Sequence, residues 1–296
     1  MHSLAPLLAL AGTALAACNG RDEYCGRKYS NITYMGAHDS AFVGALPMHN
    51  QYVPVADQLD LGVRFLQAQT HRKGGAIEMC HTYCWELDAG SLDAYLRAVA
   101  AWMGAHPDEV VTLLLTNGDK IPVDDFDAVF RAAGLTQYVM RPQKVMAREE
   151  WPTLQEMIDV GTRLVVFMGA LRRDLLYGKE MASCTKVDYI INEFDYFWET
   201  PWGITDKTFP TCVVDRPPKG DPAKLMGLMN HMLNYKLGDV VFPNQPDAAS
   251  TNSKASIEAQ VARCIAAWSQ QPNVVLLDWV NIGEVAAEGL ALNGLS

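Results

Sequence analysis

Two histidines and two aspartates in this chain are residue types that could carry out acid–base chemistry. His38 and Asp39 follow one short apolar run, His81 follows a second, and Asp278 follows a third. Imidazole titrates near neutral pH, so a histidine can accept or give up a proton during a reaction. Taken singly, such a residue is more often a helix cap or a satisfied polar group. Together the four supply a general acid, a general base and a carboxylate partner for each.

The elements that must position these residues are short strands alternating with helices. The spacing of apolar residues predicts strands at 32–38, 63–69, 77–83, 110–117, 164–168, 189–194, 240–243 and 274–278. Several are apolar almost throughout, which is typical of a parallel sheet that is covered on both faces. We therefore expect an α/β fold, a distorted (β/α)8 TIM-type barrel in a single domain, with its chemistry at the carboxyl ends of the strands. A doubly wound open sheet is the alternative, although no dinucleotide or P-loop glycine motif follows any strand.

Helical patterns are clear at 91–103 and 256–270, where the apolar residues fall on one face. Thr153 and Glu156 have the spacing of a capping box, which predicts a helix that ends near Gly161. Segments 217–222 and 244–255 are rich in turn-forming residues, and we expect surface loops there.

The first residues are those expected of an export signal. Residues 1–16 contain an apolar run that ends in Ala14-Leu-Ala16, which predicts a cleaved signal peptide and a mature domain spanning 17–296. The sequence before Cys18 also resembles a bacterial lipoprotein processing site, so lipidation of Cys18 is the alternative. No later apolar run approaches the roughly 20 residues of a membrane span. We therefore expect a secreted, extracellular protein with no stable membrane anchor.

The chain has seven cysteines, and after an export signal they are expected to form disulfides. The local pairs favoured are Cys18 with Cys25 and Cys80 with Cys84. The remaining cysteines at 184, 212 and 264 allow at most one further bridge, and the sequence does not say which two form it. Asn31 begins a glycosylation sequon that is usable if it stays exposed on a eukaryotic secretory route.

A bridge between Cys80 and Cys84 would fix the position of His81. Four residues of extended strand span about 13 Å, whereas the Cα atoms of bonded cysteines lie within about 7 Å. The chain must therefore bend just after His81. Zinc binding by this segment is the alternative, but its spacing matches closed zinc sites poorly, and we expect no metal.

The formal net charge of −10 argues against two kinds of partner. No basic run offsets it, so binding to nucleic acid and electrostatic docking on an anionic membrane are disfavoured. Transient contact with a lipid surface through apolar side chains is compatible with this charge. The aromatic residues between 194 and 202 either touch lipid at the mouth or pack in the core.

Four segments together resemble the phosphatidylinositol-specific phospholipase C X-domain superfamily, especially its secreted fungal phospholipase C-like phosphodiesterases. They are Gly-Ala-His-Asp-Ser at 36–40, Leu-Gly-Val-Arg-Phe at 61–65, His-Thr-Tyr-Cys at 81–84 and Leu-Leu-Asp-Trp at 276–279. The resemblance implies that His38 is the general base, oriented by Asp278, and that His81 is the general acid, partnered by Asp39. It also implies a phospholipid or other phosphodiester substrate whose own hydroxyl attacks phosphorus, with no cofactor.

The second strand departs from the pattern of that family. Its bacterial members end this strand with Asp-x-Arg, and metal-dependent members place two acids there, whereas this chain has Gln67 and Gln69. We expect both amides to contact substrate and Arg72 to be the candidate replacement for the missing charge. Asn117 and Glu193, at the ends of later strands, are the expected headgroup contacts. The alternatives are a metal-dependent glycerophosphodiesterase or sphingomyelinase D-like enzyme, and a non-catalytic barrel that binds a phosphorylated headgroup or a sugar.

Overall fold

The architecture is a curled, mostly parallel sheet whose eight central strands form a distorted barrel surrounded by helices. The computed structural model describes residues 17–169, 187–238 and 240–295. The predicted signal peptide and Cys184 lie outside these ranges. Within the barrel the strand order is β7-β6-β5-β2-β1-β12-β9-β8, and every pairing along this path is parallel. The predicted barrel class is confirmed.

Twelve strands are present in the described ranges. They are β1 Tyr34–Ala37, β2 Phe65–Lys73, β3 Ala76–Cys80, β4 Asp88–Ser91, β5 Val111–Asn117, β6 Leu164–Gly169, β7 Ile190–Asn192, β8 Phe197–Glu199, β9 Met226–Asn230, β10 Asn234–Leu237, β11 Val240–Pro243 and β12 Val274–Leu277. Strand β3 pairs antiparallel with the end of β2 and with β4, outside the barrel path. Strands β10 and β11 form a separate hairpin.

The α-helices of the described ranges lie on the outside of this sheet or cross its ends. They are α1 Asp22–Cys25, α2 Val55–Asp60, α3 Leu92–Ala105, α4 Val123–Ala132, α5 Leu154–Asp159, α6 Ala248–Thr251, α7 Lys254–Trp268 and α8 Val285–Leu292. Ser91 caps α3 by accepting a hydrogen bond from the Ala94 amide, and Thr153 forms the predicted capping box with Glu156 at α5. No helix in these ranges is long and apolar enough to cross a membrane.

Each barrel strand is buried on both faces, which explains the nearly continuous apolar runs. Leu113 packs under the surrounding helices, and its neighbour Leu114 points into the barrel interior beside Phe65 and Phe167. Gly36 allows the strands on either side of β1 to approach closely, since a Cβ there would lie 3.3 Å from the Phe65 carbonyl oxygen and 2.9 Å from a methyl group of Leu276. Burying one such large side chain stabilises the fold by about 1.5–3 kcal/mol.

Three predictions about the elements are wrong. Segment 77–83 does not supply a barrel strand, because Gly74 and Gly75 adopt positive φ angles and turn β3 back against β2 as a hairpin. Segment 240–243 is extended but belongs to the β10–β11 hairpin. Segment 244–255 is not a plain surface loop, since it contains α6 and the buried Asn252.

Strands β8 and β9, which complete the barrel, have no counterpart in the prediction. Strand β8 has three residues, too few to show any periodicity. Strand β9 reads Met-Gly-Leu-Met-Asn, and methionine and glycine are weak strand formers. Tyr196, Phe197 and Trp198 are buried around β8, so these aromatics belong to the core, whereas Trp202 is exposed.

Three disulfides join described cysteines. The two predicted pairs, Cys18–Cys25 and Cys80–Cys84, are both present. The third bridge joins Cys212 to Cys264 and ties the segment between β8 and β9 to α7. A bridge closing a loop of about 50 residues is expected to stabilise the fold by about 4 kcal/mol, against about 2 kcal/mol for the short ones.

Candidate active site

His38 and Asp278 are brought together by the pairing of β1 with β12. Ala37 lies opposite Leu277 in this ladder, and the His38 amide donates to the Leu277 carbonyl oxygen at 2.8 Å. The next residue of each strand therefore projects into the same space at the barrel mouth. His38 Nδ1 lies 2.8 Å from Asp278 Oδ1. Because a carboxylate can only accept, Nδ1 carries the proton, and Nε2 is left as the basic nitrogen.

Asp39 lies between the two histidines. Its backbone is in the left-handed region, with φ of 44°, and its side chain is completely buried. One carboxylate oxygen, Oδ2, is 3.4 Å from Nε2 of His38 and 3.4 Å from Nε2 of His81. The two imidazoles therefore converge on a single point, which is the arrangement that a paired acid and base require.

His81 is held by the bend that follows β3. The strand ends at Cys80, the Cα atoms of Cys80 and Cys84 are only 4.8 Å apart, and Thr82 has a positive φ of 57°. The predicted bend after His81 is confirmed. The edge of the His81 ring packs against the Phe42 ring, with their centroids 5.4 Å apart. Disulfide and ring contact together restrict the direction of the imidazole.

The two glutamines of β2 hold this cluster together. Gln67 Oε1 accepts from the Asp39 amide at 2.8 Å, and Gln69 Nε2 donates to Asp39 Oδ2 at 3.1 Å. Gln69 Oε1 also accepts from the Thr82 amide at 3.1 Å. Gln69 therefore links the segment that carries His38 to the segment that carries His81.

The carboxylates around His38 favour its charged form. Burial by itself lowers the pKa of His38, but the charges of Asp39 and Asp278, the hydrogen bond to Asp278 and the charge of Glu199 outweigh it and raise the pKa to about 9. His38 is therefore protonated in the resting site at neutral pH. It becomes a base only when that proton is lost.

Sequence reasoning missed Asn50 and Gln51, which are fully buried beside the histidine. Asn50 Nδ2 donates to Asp278 Oδ1 at 2.9 Å. Gln51 Nε2 donates to the carbonyl oxygens of His38 and Leu277, at 2.8 and 3.1 Å. Both lie in the irregular loop between β1 and α2, where no strand end marks them. Two adjacent amides in the stretch 40–54, which has no Asp, Glu, Lys or Arg, were the only signal available.

Two of the expected substrate contacts lie away from the histidine pair. Asn117 is buried, and its side chain both donates to and accepts from the Ile121 backbone at 2.8 Å, so it holds a turn. Arg72 forms an ion pair with Asp125 in α4, and its amide donates to Asp119. The structure therefore gives Arg72 two acidic partners outside the site and does not bring it to the histidines.

Glu193 lies in a second buried group of charges where β7 and β8 face each other. Its carboxyl group shares a hydrogen bond with Glu199, which pairs in turn with Arg216 and accepts from Asn230 at 3.2 Å. Burial and the nearby Glu199 charge raise the pKa of Glu193 well above its usual range, although Arg216 opposes this. Burial and the neighbouring carboxylate therefore both favour the neutral form of Glu193.

The residues at the site do not fit a divalent cation. Calcium and magnesium require several oxygen ligands, mostly carboxylates. The amides of Gln67 and Gln69 are already engaged with Asp39, and residues 17–169, 187–238 and 240–295 contain no group of three His, Cys, Asp or Glu side chains that could hold a metal ion.

Comparison with solved structures gives the same fold. The chain superposes on phosphatidylinositol-specific phospholipase C of Staphylococcus aureus with a TM-score of 0.59 at 11% identity, covering 92% of this chain and 94% of that one. For the Listeria monocytogenes phosphatidylinositol-specific phospholipase C the TM-score is 0.57 at 13% identity, covering 91% and 94%. At such low identity the likeness establishes the fold alone.

Sequence comparison establishes the family. A PI-PLC X domain-containing protein 1 of Arthroderma benhamiae is 44% identical over 94% of this chain and 90% of that protein. An uncharacterized secreted protein of the same organism is 40% identical, and the match covers 90% of this chain and 61% of that protein. The family model described as PI-PLC X 1 matches residues 24–293. On this evidence the chain belongs to the PI-PLC X domain family.

Proposed function

We propose that this protein is a secreted phosphoric diester hydrolase that cleaves a phospholipid-type phosphodiester by acid–base catalysis with His38 and His81. The observation that carries the proposal is the convergence of both Nε2 atoms on Asp39 Oδ2, at 3.4 Å each. Family membership and the phospholipase C fold support the reaction class.

In the proposed first step, neutral His38 accepts the proton of a substrate hydroxyl next to the phosphate. The hydroxyl oxygen bonds to phosphorus, the bond from phosphorus to the leaving alkoxide breaks, and protonated His81 gives its proton to that alkoxide. The products are a cyclic phosphodiester and an alcohol. Water then opens the ring with the two histidines exchanging roles, which restores their protonation states.

Gln69 Nε2 lies 3.1 Å and His81 Nε2 3.4 Å from Asp39 Oδ2, so the Gln69 amide is already engaged with a carboxylate. In the proposed complex the imidazolium of His81 stabilises the negative charge that develops on the phosphoryl oxygens, while Arg72 is held at Asp125. An imidazolium without an arginine beside it stabilises that charge less strongly. We infer a phosphodiesterase that turns over more slowly than an arginine-containing relative.

The proposed location and partner are extracellular. The three disulfides and the 40% identity to a protein described as secreted support export, and removal of residues 1–16 remains part of the proposal. Asn31 is exposed in a short 3-10 helix, which supports its use as a glycosylation site. The substrate is a lipid headgroup presented at a surface, contacted transiently by loops at the carboxyl ends of the barrel strands.

The test is to incubate the purified protein with phosphatidylinositol, a glycosyl-phosphatidylinositol and a lysophospholipid while following phosphorus NMR. We expect a cyclic phosphate that His38→Ala and His81→Ala fail to produce, and production unchanged by EDTA. Loss of activity in EDTA would favour a metal-dependent enzyme. Identical behaviour of wild type and both variants on every substrate would leave the binding-protein alternative, which the ion pairing of Arg72 with Asp125 favours.

A further inference from the structure

One oxygen of Asp278 receives two hydrogen bonds, and only one of them comes from the catalytic pair. Oδ1 is 2.8 Å from His38 Nδ1 and 2.9 Å from Asn50 Nδ2. The two nitrogens are 3.3 Å from each other, and each has a proton to give to the same oxygen. Asp278 Oδ2 has no hydrogen-bond partner among the described residues.

Asn50 is fixed in place by its own backbone. Its carbonyl oxygen accepts from the Trp279 amide at 2.7 Å, and its amide donates to the Phe42 carbonyl oxygen at 3.1 Å. Its neighbour Gln51 is held by a bond from the Val280 amide at 3.1 Å. Hydrogen bonds therefore connect the loop between β1 and α2 to the residues that follow Asp278. The Asn50 side chain has no exposed surface, so it has no alternative hydrogen-bond partner in solvent.

Asp278 is 3% exposed, so solvent does little to stabilise its negative charge. A buried carboxylate stays ionised only if donors replace the lost water. Within the described part of the chain, Asn50 is the one neutral side chain that donates to this carboxylate. We propose that Asn50 is a positioning residue that stabilises ionised Asp278 and limits how tightly the Asp278–His38 pair holds its proton.

The direction of the effect follows from competition for Oδ1. A donor on that oxygen draws off electron density, which weakens the hydrogen bond from imidazolium to carboxylate. Without Asn50, Oδ1 becomes more basic and His38 keeps its proton to higher pH. The other charged groups near His38 are Asp39, the His81 beyond it and Glu199, and none of them contacts Asn50 by a hydrogen bond in the described structure.

The role of Asn50 in catalysis rests on the proposed function, but its effect on His38 can be tested without turnover. The His38 ring is titrated by NMR in isotope-labelled protein, without substrate, for wild type and Asn50→Ala. We expect the midpoint to rise by about one pH unit, the size expected when a bond to a charged group is lost. Asn50→Leu, which removes the donor but fills the space, should shift it in the same direction.

Asn252→Ala is the matched control. Asn252 Nδ2 donates to the backbone carbonyl oxygen of Asp278 at 2.8 Å and does not touch its carboxylate. It should lower thermal stability without moving the His38 midpoint. An unchanged midpoint in both Asn50 variants, or an equal shift in Asn252→Ala, would overturn the proposal.

Activity supplies a second readout that separates the two proposals. If the enzyme turns over substrate, the acid limb of kcat/KM should move upward with the NMR midpoint in Asn50→Ala, which a purely structural defect would not cause. If no substrate is cleaved by the wild type, the proposed function fails while the NMR result still decides the role of Asn50.

Discussion

The protonation state of His38 decides when the proposed first step can run. Asp39 and Asp278 flank the imidazole, and together with the hydrogen bond to Asp278 they more than offset the effect of burial, which alone would lower the pKa. With its pKa at about 9, only about one molecule in a hundred has neutral His38 at pH 7. The same two carboxylates that orient His38 therefore lower the fraction of it that can act as a base at neutral pH.

Where His81 keeps its proton, we expect kcat/KM for formation of the cyclic phosphate to rise by up to about tenfold per pH unit below pH 9. The direction follows from a raised pKa, because the base form appears only as pH climbs through that value. Stopped assays across this range measure it, and His38→Gln should remove the slope together with most of the activity. A residual activity of His38→Gln that depends on pH as steeply as that of the wild type would show that loss of the His38 proton does not limit the reaction.

For individual residues, the sequence predicts those that follow the ends of strands and misses those that reach the site from loops. Their positions at strand ends place His38 and Asp278 at the same mouth of the barrel, and the family resemblance implies that they pair; His38 Nδ1 lies 2.8 Å from Asp278 Oδ1. Asn50 acts from an irregular loop, and its position depends on backbone contacts that no periodicity encodes. Arg72 is predicted to follow the second strand, but β2 continues to Lys73, and the pairing of Arg72 with Ile77 of β3 carries it towards Asp125.

Among the elements, the segment from β3 to β4 has the largest influence on the site, although it lies outside the barrel path. It supplies His81 and fixes it by a five-residue disulfide loop. The Cys80–Cys84 bridge is expected to matter more for the direction of the imidazole than for overall stability, since a loop this short constrains the unfolded chain by only about 2 kcal/mol.

Replacing both Cys80 and Cys84 by serine should therefore lower kcat by at least about tenfold while leaving the barrel folded, because a small displacement of a catalytic group is costly. Circular dichroism and thermal melting check the fold, and the rate is measured on the same samples. The matched control is Cys18→Ser with Cys25→Ser, which breaks a bridge far from the histidines and should retain the rate. Equal losses in the two double variants would refute a specific role for the Cys80–Cys84 loop.

Among residues 17–169, 187–238 and 240–295, no continuous ladder of backbone hydrogen bonds closes the barrel. Strands β7 and β8 are the two ends of the parallel path, and the carboxyl groups of Glu193 and Glu199 share a hydrogen bond across the gap. A Cβ on Gly169 would come within 2.8 Å of Glu193 Oε2, so the last residue of β6 leaves room for that side chain. Side chains and a shared proton thus join these edges.

Glu193→Gln should stabilise the protein increasingly, relative to the wild type, as pH rises above about 4.3. Burial and the Glu199 charge raise the folded-state pKa of Glu193, so unfolding releases a proton above about pH 4.3 and stability falls with pH by up to about 1.4 kcal/mol per unit. Glutamine keeps a donor for Glu199 and has no proton to lose. Urea unfolding at several pH values measures the difference.

Glu258→Gln is the control for that experiment. Glu258 lies on α7, is half exposed and forms an ion pair with Lys254, so its replacement should not make the stability difference from wild type grow with pH. A difference between Glu193→Gln and wild type that stays constant with pH would mean that Glu193 is ionised in the folded protein. In that case Arg216 would have to neutralise both carboxylates.

At the scale of the whole molecule, part of the barrel mouth combines few charges with exposed aromatic rings. The mouth loops at 40–54, 81–87, 200–204 and 231–238 contain only Glu86 and Lys236 as formally charged residues, although the chain carries a net charge of −10. The same loops expose Trp85 at 82% and Trp202 at 63%. Exposed tryptophans in loops with few charges favour contact with the interface of a neutral lipid surface.

We therefore expect the protein to sediment with phosphatidylcholine vesicles and to bind more weakly when anionic lipid is added, with salt relieving that loss. Trp85→Ala and Trp202→Ala should each reduce vesicle binding roughly tenfold. They should leave cleavage of a soluble, short-chain substrate nearly unchanged, since neither side chain forms a hydrogen bond or ion pair with the histidine cluster in the described structure.

Val160→Ala provides the control at the opposite end of the barrel. Val160 is 71% exposed but follows α5 and precedes β6, so it lies near the amino ends of the strands, away from the mouth. Its loss should not change vesicle binding. If all three variants bind alike, or if anionic lipid strengthens binding, the mouth loops are not the surface that meets lipid, and substrate must reach the histidines as dispersed molecules.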